Sequence, residues 1–199
     1  MIDKTEFDEF LDEFFINERR IFLWGEINAE TSLRTIQLLK FLHSKNKKPI
    51  ILYINSSGGE VEDGLSIIDE INGIKKDGTE IWVVAQGQAC SMAAFILVTG
   101  TYSYATENTT IMLHPMWGDT AEENNNKLKR SVDFYDKKEE LLIKLVAKKS
   151  GKTSPQKFKT LKEEIDKTLW LSAEQAKKYG IIDDIWQYEW EKDAKTHTD

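Results

Sequence analysis

Pro49-Ile-Ile-Leu-Tyr-Ile54 is an unbroken apolar run that stops abruptly at Asn55-Ser-Ser-Gly-Gly59. A strand without polar alternation is covered on both faces, which is the situation of a parallel sheet with helices packed on it. The residues around it agree. Val61, Leu65, Ile68 and Ile71 recur at i, i+4, i+7 and i+10, one stripe of a helix. Lys76-Asp-Gly-Thr79 then turns the chain into Glu80-Ile-Trp-Val-Val-Ala85, a further strand. A small-residue helix follows from about Ser91 to Thr99, and Thr110 to His114 is again strand-like. Upstream, Arg20 to Trp24 reads as a short strand ended by Gly25. Leu33, Ile36, Leu39 and Phe41 mark a helix stopped by the polar Ser44 to Lys48. Strands alternating with helices predict parallel βαβ units and an α/β fold.

The flanks differ in character. Phe7, Phe10, Leu11, Phe14 and Phe15 fall at helical spacing among acids, which predicts an N-terminal amphipathic segment over residues 1–16 that seeks a partner surface. Glu122 to Lys149 predicts one long charged helix whose narrow apolar stripe is Leu128, Val132, Tyr135, Leu142 and Val146. It looks too polar for the core and is expected to project, or to pack against another subunit. Gly151 ends it. Ser172 and Gln175 form a capping box for a short helix that Gly180 closes. Ile181 to Trp186 reads as a last strand, and residues 191–199 as a solvated charged tail. No internal repeat is visible, so residues 17–190 are expected to form one domain, a size at which a real core can be buried. A net charge of −7 argues against a nucleic-acid partner. The single cysteine, Cys90, cannot form an internal disulfide, and the longest nearly apolar run, Ala89 to Gly100, is too short to span a bilayer. The acidic N-terminus shows no secretory signal. These features predict a cytoplasmic protein with no membrane association and no metal or cofactor.

In parallel α/β sheets, ligands bind beyond the carboxyl ends of strands, and three such ends carry chemistry. Asn55-Ser-Ser-Gly-Gly59 leads straight into a helix, and adjacent glycines let backbone N–H groups approach a ligand. Gln86-Gly-Gln-Ala-Cys-Ser91-Met-Ala-Ala94 places a serine at the first turn of a helix among small residues. His114 ends the third strand. Each has an ordinary explanation: a turn, an N-cap, a structural histidine. The chain holds three histidines, however. His43 lies at the polar end of a helix and His197 in the tail, so an imidazole base in the core must be His114.

Tyr53-Ile-Asn-Ser-Ser-Gly-Gly59, Gly87-Gln-Ala-Cys-Ser-Met-Ala-Ala94 and Met112-Leu-His114 resemble, in order and near spacing, three signature blocks of the Clp protease proteolytic-subunit family. Arg20-Ile-Phe-Leu-Trp-Gly25 resembles its first strand. Trp170-Leu-Ser-Ala-Glu-Gln-Ala176 with Tyr179-Gly-Ile-Ile-Asp183 resembles its closing segment. The resemblance covers about Asn17 to Trp186. It implies a fold shared with the crotonases, of repeated β-β-α and βαβ units, with residues of about 120–150 as a projecting handle that interlocks two stacked seven-membered rings. It implies a serine endopeptidase acting on unfolded polypeptides through an acyl-enzyme, with Ser91 as nucleophile and His114 as general base. Gly59 and the N–H of Met92 would form the oxyanion hole.

Several positions depart from the family pattern. The third triad residue, counted back without a gap, falls on Thr168; Asp166 lies two residues earlier and would share its face if this stretch were extended. Ser57 stands where the family's turn has proline, and His114 precedes Pro115 directly. The hairpin between Gly100 and Thr110 is about two residues short. A Clp-type ATPase unfoldase is the implied partner, yet the segment before the first strand leaves little room for the axial loops that meet it. The alternatives are a non-catalytic ring subunit with an incomplete triad and, more distantly, an acyl-CoA-binding crotonase.

Overall fold

The computed structural model describes residues 11, 13–116 and 125–191, with side chains from Phe134 onward in the last stretch. In chain order the elements are β1 (Arg20–Trp24), α1 (Ala29–Lys45), β2 (Ile50–Ser56), α2 (Val61–Lys76), β3 (Ile81–Cys90), α3 (Met92–Leu97), β4 (Tyr102–Ala105), β5 (Thr110–Leu113), α4 (Asn125–Lys149), α5 (Pro155–Asp166), β6 (Leu169–Ser172), α6 (Ala173–Tyr179) and β7 (Asp184–Ile185). Among the described residues seven strands join one sheet. Its main path is β1-β2-β3-β4-β7, and β5 and β6 branch from β3. Pairing along the main path is parallel, as is β3 with β5, while β5 and β6 run antiparallel.

The branch explains why β3 is long. Trp82 to Ala85 pair with β4, and Gln88 to Cys90 pair with β5. Between them Gly87 takes φ +87°, outside the extended region, and the strand bends there. Ile21, Leu23, Ile50, Leu52, Ile54 and Ile81 of the strands and Ile67 and Ile71 of α2 are buried together and form the inner core. Burying each such side chain stabilises the fold by roughly 1.5–3 kcal/mol. The outer face of the same sheet carries a separate aromatic cluster, Ile51, Tyr53, Trp82, Val84, Tyr104 and Trp186, against which Trp190 packs.

The structure revises several expectations. Leu33 and Phe41 are exposed, and α1 buries Ser32, Thr35, Leu39 and Leu42 instead. The Ser32 and Thr35 hydroxyls donate to the carbonyls of Asp63 and Thr31, so their burial leaves neither unsatisfied. Gln86 to Cys90 is strand rather than loop. The stretch from Gly100 to Thr110 is not a paired hairpin: it contains β4, whose partners are β3 and β7. The long charged helix does not stand clear of the core, because Leu142, Ile143, Val146 and Ala147 in its C-terminal half are buried. Leu128 and Val132 lie outside the described side chains. Glu191 is not solvated: it accepts from the Tyr53 hydroxyl and pairs with Arg20. The amphipathic segment lies mostly outside the described residues, although residues 13–17 are helical. The capping box at Ser172 and the left-handed Gly180 stand where the sequence places them. Among the described residues, no helix is long and apolar enough to cross a membrane.

Candidate active site

Ser91 lies between β3 and α3 with φ 55° and ψ −126°, a backbone conformation that non-glycine residues rarely hold. Such geometry costs about 1–3 kcal/mol and persists only where its surroundings over-determine it. Here they do. The Ser91 N–H donates to the Met112 carbonyl at 2.7 Å, the continuation of the Cys90–Met112 pairing. The turn Gly58-Gly59 presses against the other side. A Cβ on Gly58 would stand 2.6 Å from the Ser91 Cβ, and one on Gly59 would stand 2.1 Å from the Ile27 carbonyl oxygen. Both positions require glycine. Although Ser91 occupies the N-cap position of α3, its side chain makes no capping hydrogen bond. The ordinary explanation of a serine at a helix start therefore does not consume its hydroxyl.

Of the N–H groups in the glycine turn, Gly58 donates to Ser56 Oγ at 3.0 Å and Glu60 donates to the Ile27 carbonyl at 2.8 Å. The Gly59 N–H between them finds no acceptor among the described residues. Met92 opens α3, where backbone donors have no intrahelical partner. Two uncommitted N–H groups thus flank Ser91.

His114 follows the last residue of β5. Its Nδ1 lies 2.5 Å from the Pro115 carbonyl oxygen. A carbonyl only accepts, so in this contact Nδ1 carries the proton, and in the neutral ring Nε2 is the basic nitrogen. Gly59, Ser91, Met92 and His114 line one cavity of about 260 Å³ together with Val61, Phe95, Pro115, Met116 and Leu142. Cys90, next to the serine, offers no rival nucleophile: it is buried, and burial pushes its thiol pKa up, away from the thiolate.

Asp166 is not brought to this cavity lining. The extended stretch that would have put it on a common face with residue 168 is the last turn of α5, and Asp166 is exposed there. Pairing of β5 with β6 runs Thr110–Ser172, Ile111–Leu171, Met112–Trp170 and Leu113–Leu169. The pairing stops there: His114 immediately follows β5 and Thr168 immediately precedes β6. Thr168 has φ 61°, a left-handed conformation that is an outlier for a β-branched residue and that aspartate and asparagine adopt far more readily.

The remaining histidine of the described region is structural. His43 Nδ1 meets Thr79 Oγ1 at 2.9 Å and Nε2 meets Asp77 at 3.0 Å, and Thr79 is buried. His197 lies outside the described residues. Sequence reasoning missed Phe95, Met116 and Leu142 as cavity residues; Phe95 and Met116 follow the two motifs closely enough to have been suspected.

A family model described as Clp protease matches residues 5–189, which includes much of the N-terminal amphipathic segment. The chain is 34% identical over 171 residues to the ATP-dependent Clp protease proteolytic subunit 3 of Synechococcus sp. (strain CC9605), covering 84% of this chain and 82% of that protein. It is 35% identical over 171 residues, with the same coverage, to the ATP-dependent Clp protease proteolytic subunit 2 of Prochlorococcus marinus (strain NATL2A).

Proposed function

Because this chain belongs to the Clp protease family, we propose that it is a serine endopeptidase subunit in which Ser91, His114 and the N–H groups of Gly59 and Met92 carry the reaction. The observation that supports this most is the meeting of a strained serine with an unspent hydroxyl, a histidine and two uncommitted backbone donors around one cavity. In the proposed reaction His114 Nε2 takes the Ser91 proton as Oγ attacks a peptide carbonyl. The Gly59 and Met92 N–H groups hold the oxyanion. The imidazolium then protonates the departing amine, and water, deprotonated by the same nitrogen, releases the acyl group. Pro115 O keeps the productive tautomer but brings no negative charge to the imidazolium. In serine proteases, replacing the aspartate costs about 10⁴-fold, through a wrong tautomer. A carbonyl acceptor avoids that fault.

We assign the peptidase domain to residues 17–190 and the handle to residues of about 120–150, which would interlock subunits of stacked seven-membered rings. The two relatives are named as subunits of an ATP-dependent protease. By the same division of labour this chain would hydrolyse, and a Clp-type ATPase would unfold substrates.

A fluorophosphonate probe tests the reading. It should label the wild-type oligomer at Ser91, and Ser91→Ala should lose both labelling and peptide cleavage. Full cleavage by Ser91→Ala would sink it. One observation favours a second reading, a ring subunit without activity of its own: Thr168, at the position the resemblance gives to aspartate, precedes the strand that pairs with the one leading into His114. Under that reading the pure oligomer is silent toward probe and peptide, and activity appears only on mixing with another subunit.

A further inference from the structure

The cavity at Ser91 has two lips on different parts of the chain. One is the glycine turn and the start of α2, residues Gly59 to Glu62. The other is the short segment His114 to Met116 beyond β5. Both are tied to the same place on α4. Lys138 Nζ donates to Glu62 Oε1, and Glu139 Oε1 accepts the Met116 N–H at 2.8 Å. Lys138 holds Glu62 below the ordinary glutamate pKa, chiefly through this hydrogen bond. Consecutive residues of one helix thus hold the two lips of the cleft, and Leu142, one turn further on, lines the cavity itself.

We infer that Lys138 and Glu139 are positioning residues for the peptidase reaction, which set the separation of the oxyanion lip from the base lip. The inference rests on the proposed peptidase reading. Glu139 acts through the backbone two residues after His114, and Lys138 acts through Glu62, three residues after Gly59. The sign of each contact matters. The Met116 N–H needs an acceptor, which a glutamine oxygen also supplies. The Glu62 carboxylate needs a donor, which arginine also supplies. A displacement of either lip by about 1 Å is enough to cost on the order of 100-fold in reactions that depend on oriented groups.

The test uses the assembled full-length protein and the rate at which Ser91 is acylated by a fluorophosphonate, resolved into a binding constant and a maximal rate. Glu139→Ala is expected to lower the maximal rate by about 10- to 100-fold with little change in the binding constant. Glu139→Gln should restore most of it. Lys138→Ala should lower the rate less, and Lys138→Arg should restore it. Elution volume and melting temperature, measured on every variant, separate a positioning effect from lost assembly or folding. Equal rates for Glu139→Ala and wild type overturn the inference, as does a loss that Glu139→Gln fails to recover or that tracks dissociation of the oligomer. If the wild type itself is not labelled, the peptidase reading fails and this inference falls with it, whereas a labelled wild type with an equal Glu139→Ala rate overturns this inference alone.

Discussion

The two sides of the cleft are built differently. On the nucleophile side, position comes from the backbone: a left-handed serine, its N–H on Met112, and two glycines pressed against Cys90, Ser91 and Ile27. On the base side it comes from side chains and a register. His114 leans on the next carbonyl, Met116 on Glu139, and the strand beside them arrives some fifty residues later as β6. A backbone device fails when a Cβ is added, and otherwise tolerates exchange around it. A side-chain device changes whenever one residue does. Thr168 stands on the side where such a change can accumulate.

The largest effect should follow from attacking the backbone device. Gly59→Ala forces a Cβ to within 2.1 Å of a carbonyl oxygen, so the turn must move and its N–H with it. Loss of one oxyanion donor costs about 10²–10³-fold, and peptide hydrolysis by Gly59→Ala should fall at least that far. Near-normal activity would show that the nucleophile side is not fixed by its backbone. A gain is expected on the other side. Thr168→Asp puts a carboxylate just before β6, beside the end of β5 that carries His114, and suits the left-handed backbone better than threonine does. Turnover should rise by about 10-fold or more, a fraction of the 10⁴ that an aspartate is worth in such triads, and the melting temperature should not drop. Unchanged turnover would mean that residue 168 is not the third position. Asp166→Asn should alter turnover by less than about 3-fold, because exposed substitutions away from packed or charged partners have small effects; a loss of about 100-fold would give Asp166 the orienting role. The smallest effect is electrostatic. Glu62 titrates below its ordinary value, so its contribution is present above about pH 4.3, the unfolded glutamate value, and fades as pH falls through the lowered folded value. The melting-temperature gap between wild type and Lys138→Gln should therefore narrow between pH 6 and pH 3. A gap that widens on acidification would contradict the ion pair.

Much of this was legible from the chain. The apolar run at Ile50 and the glycine pair behind it announce a parallel strand and a backbone device, since both depend on neighbours in sequence. So does the box at Ser172 and Gln175. The missed elements have physical reasons. Tyr102 to Ala105 is four residues long, too short for a period to show. Helix α5 was signalled by Ser154-Pro155 and by Phe158, Leu161 and Ile165 at helical spacing, but an extended stretch was expected there to carry a carboxylate to the base. On α4 the apolar stripe included Leu142 and Val146, but the surrounding charges hid that these two, with Ile143 and Ala147, are buried in the core. Ser91, His114 and the glycine turn could be singled out because each follows a strand, whereas the oxyanion roles of Gly59 and Met92 came from the resemblance to the Clp protease family. Glu139 could not, being one acid among many on a charged helix, with its partner 23 residues away.

The outer aromatic face has a consequence for how the chain is made. Tyr53 waits for Glu191, 138 residues later, and Tyr104 for Trp186 and Trp190. During synthesis β1 to β4 can pair as they emerge, yet Tyr53, Trp82 and Tyr104 then lack Trp186, Trp190 and Glu191 and are covered only by one another and by Phe22 and Tyr102. A nascent chain halted before Trp186 should therefore bind a hydrophobic dye and aggregate, where the full-length chain does neither. Trp186, Trp190 and Glu191 are thus the residues that cover the outer face of the sheet.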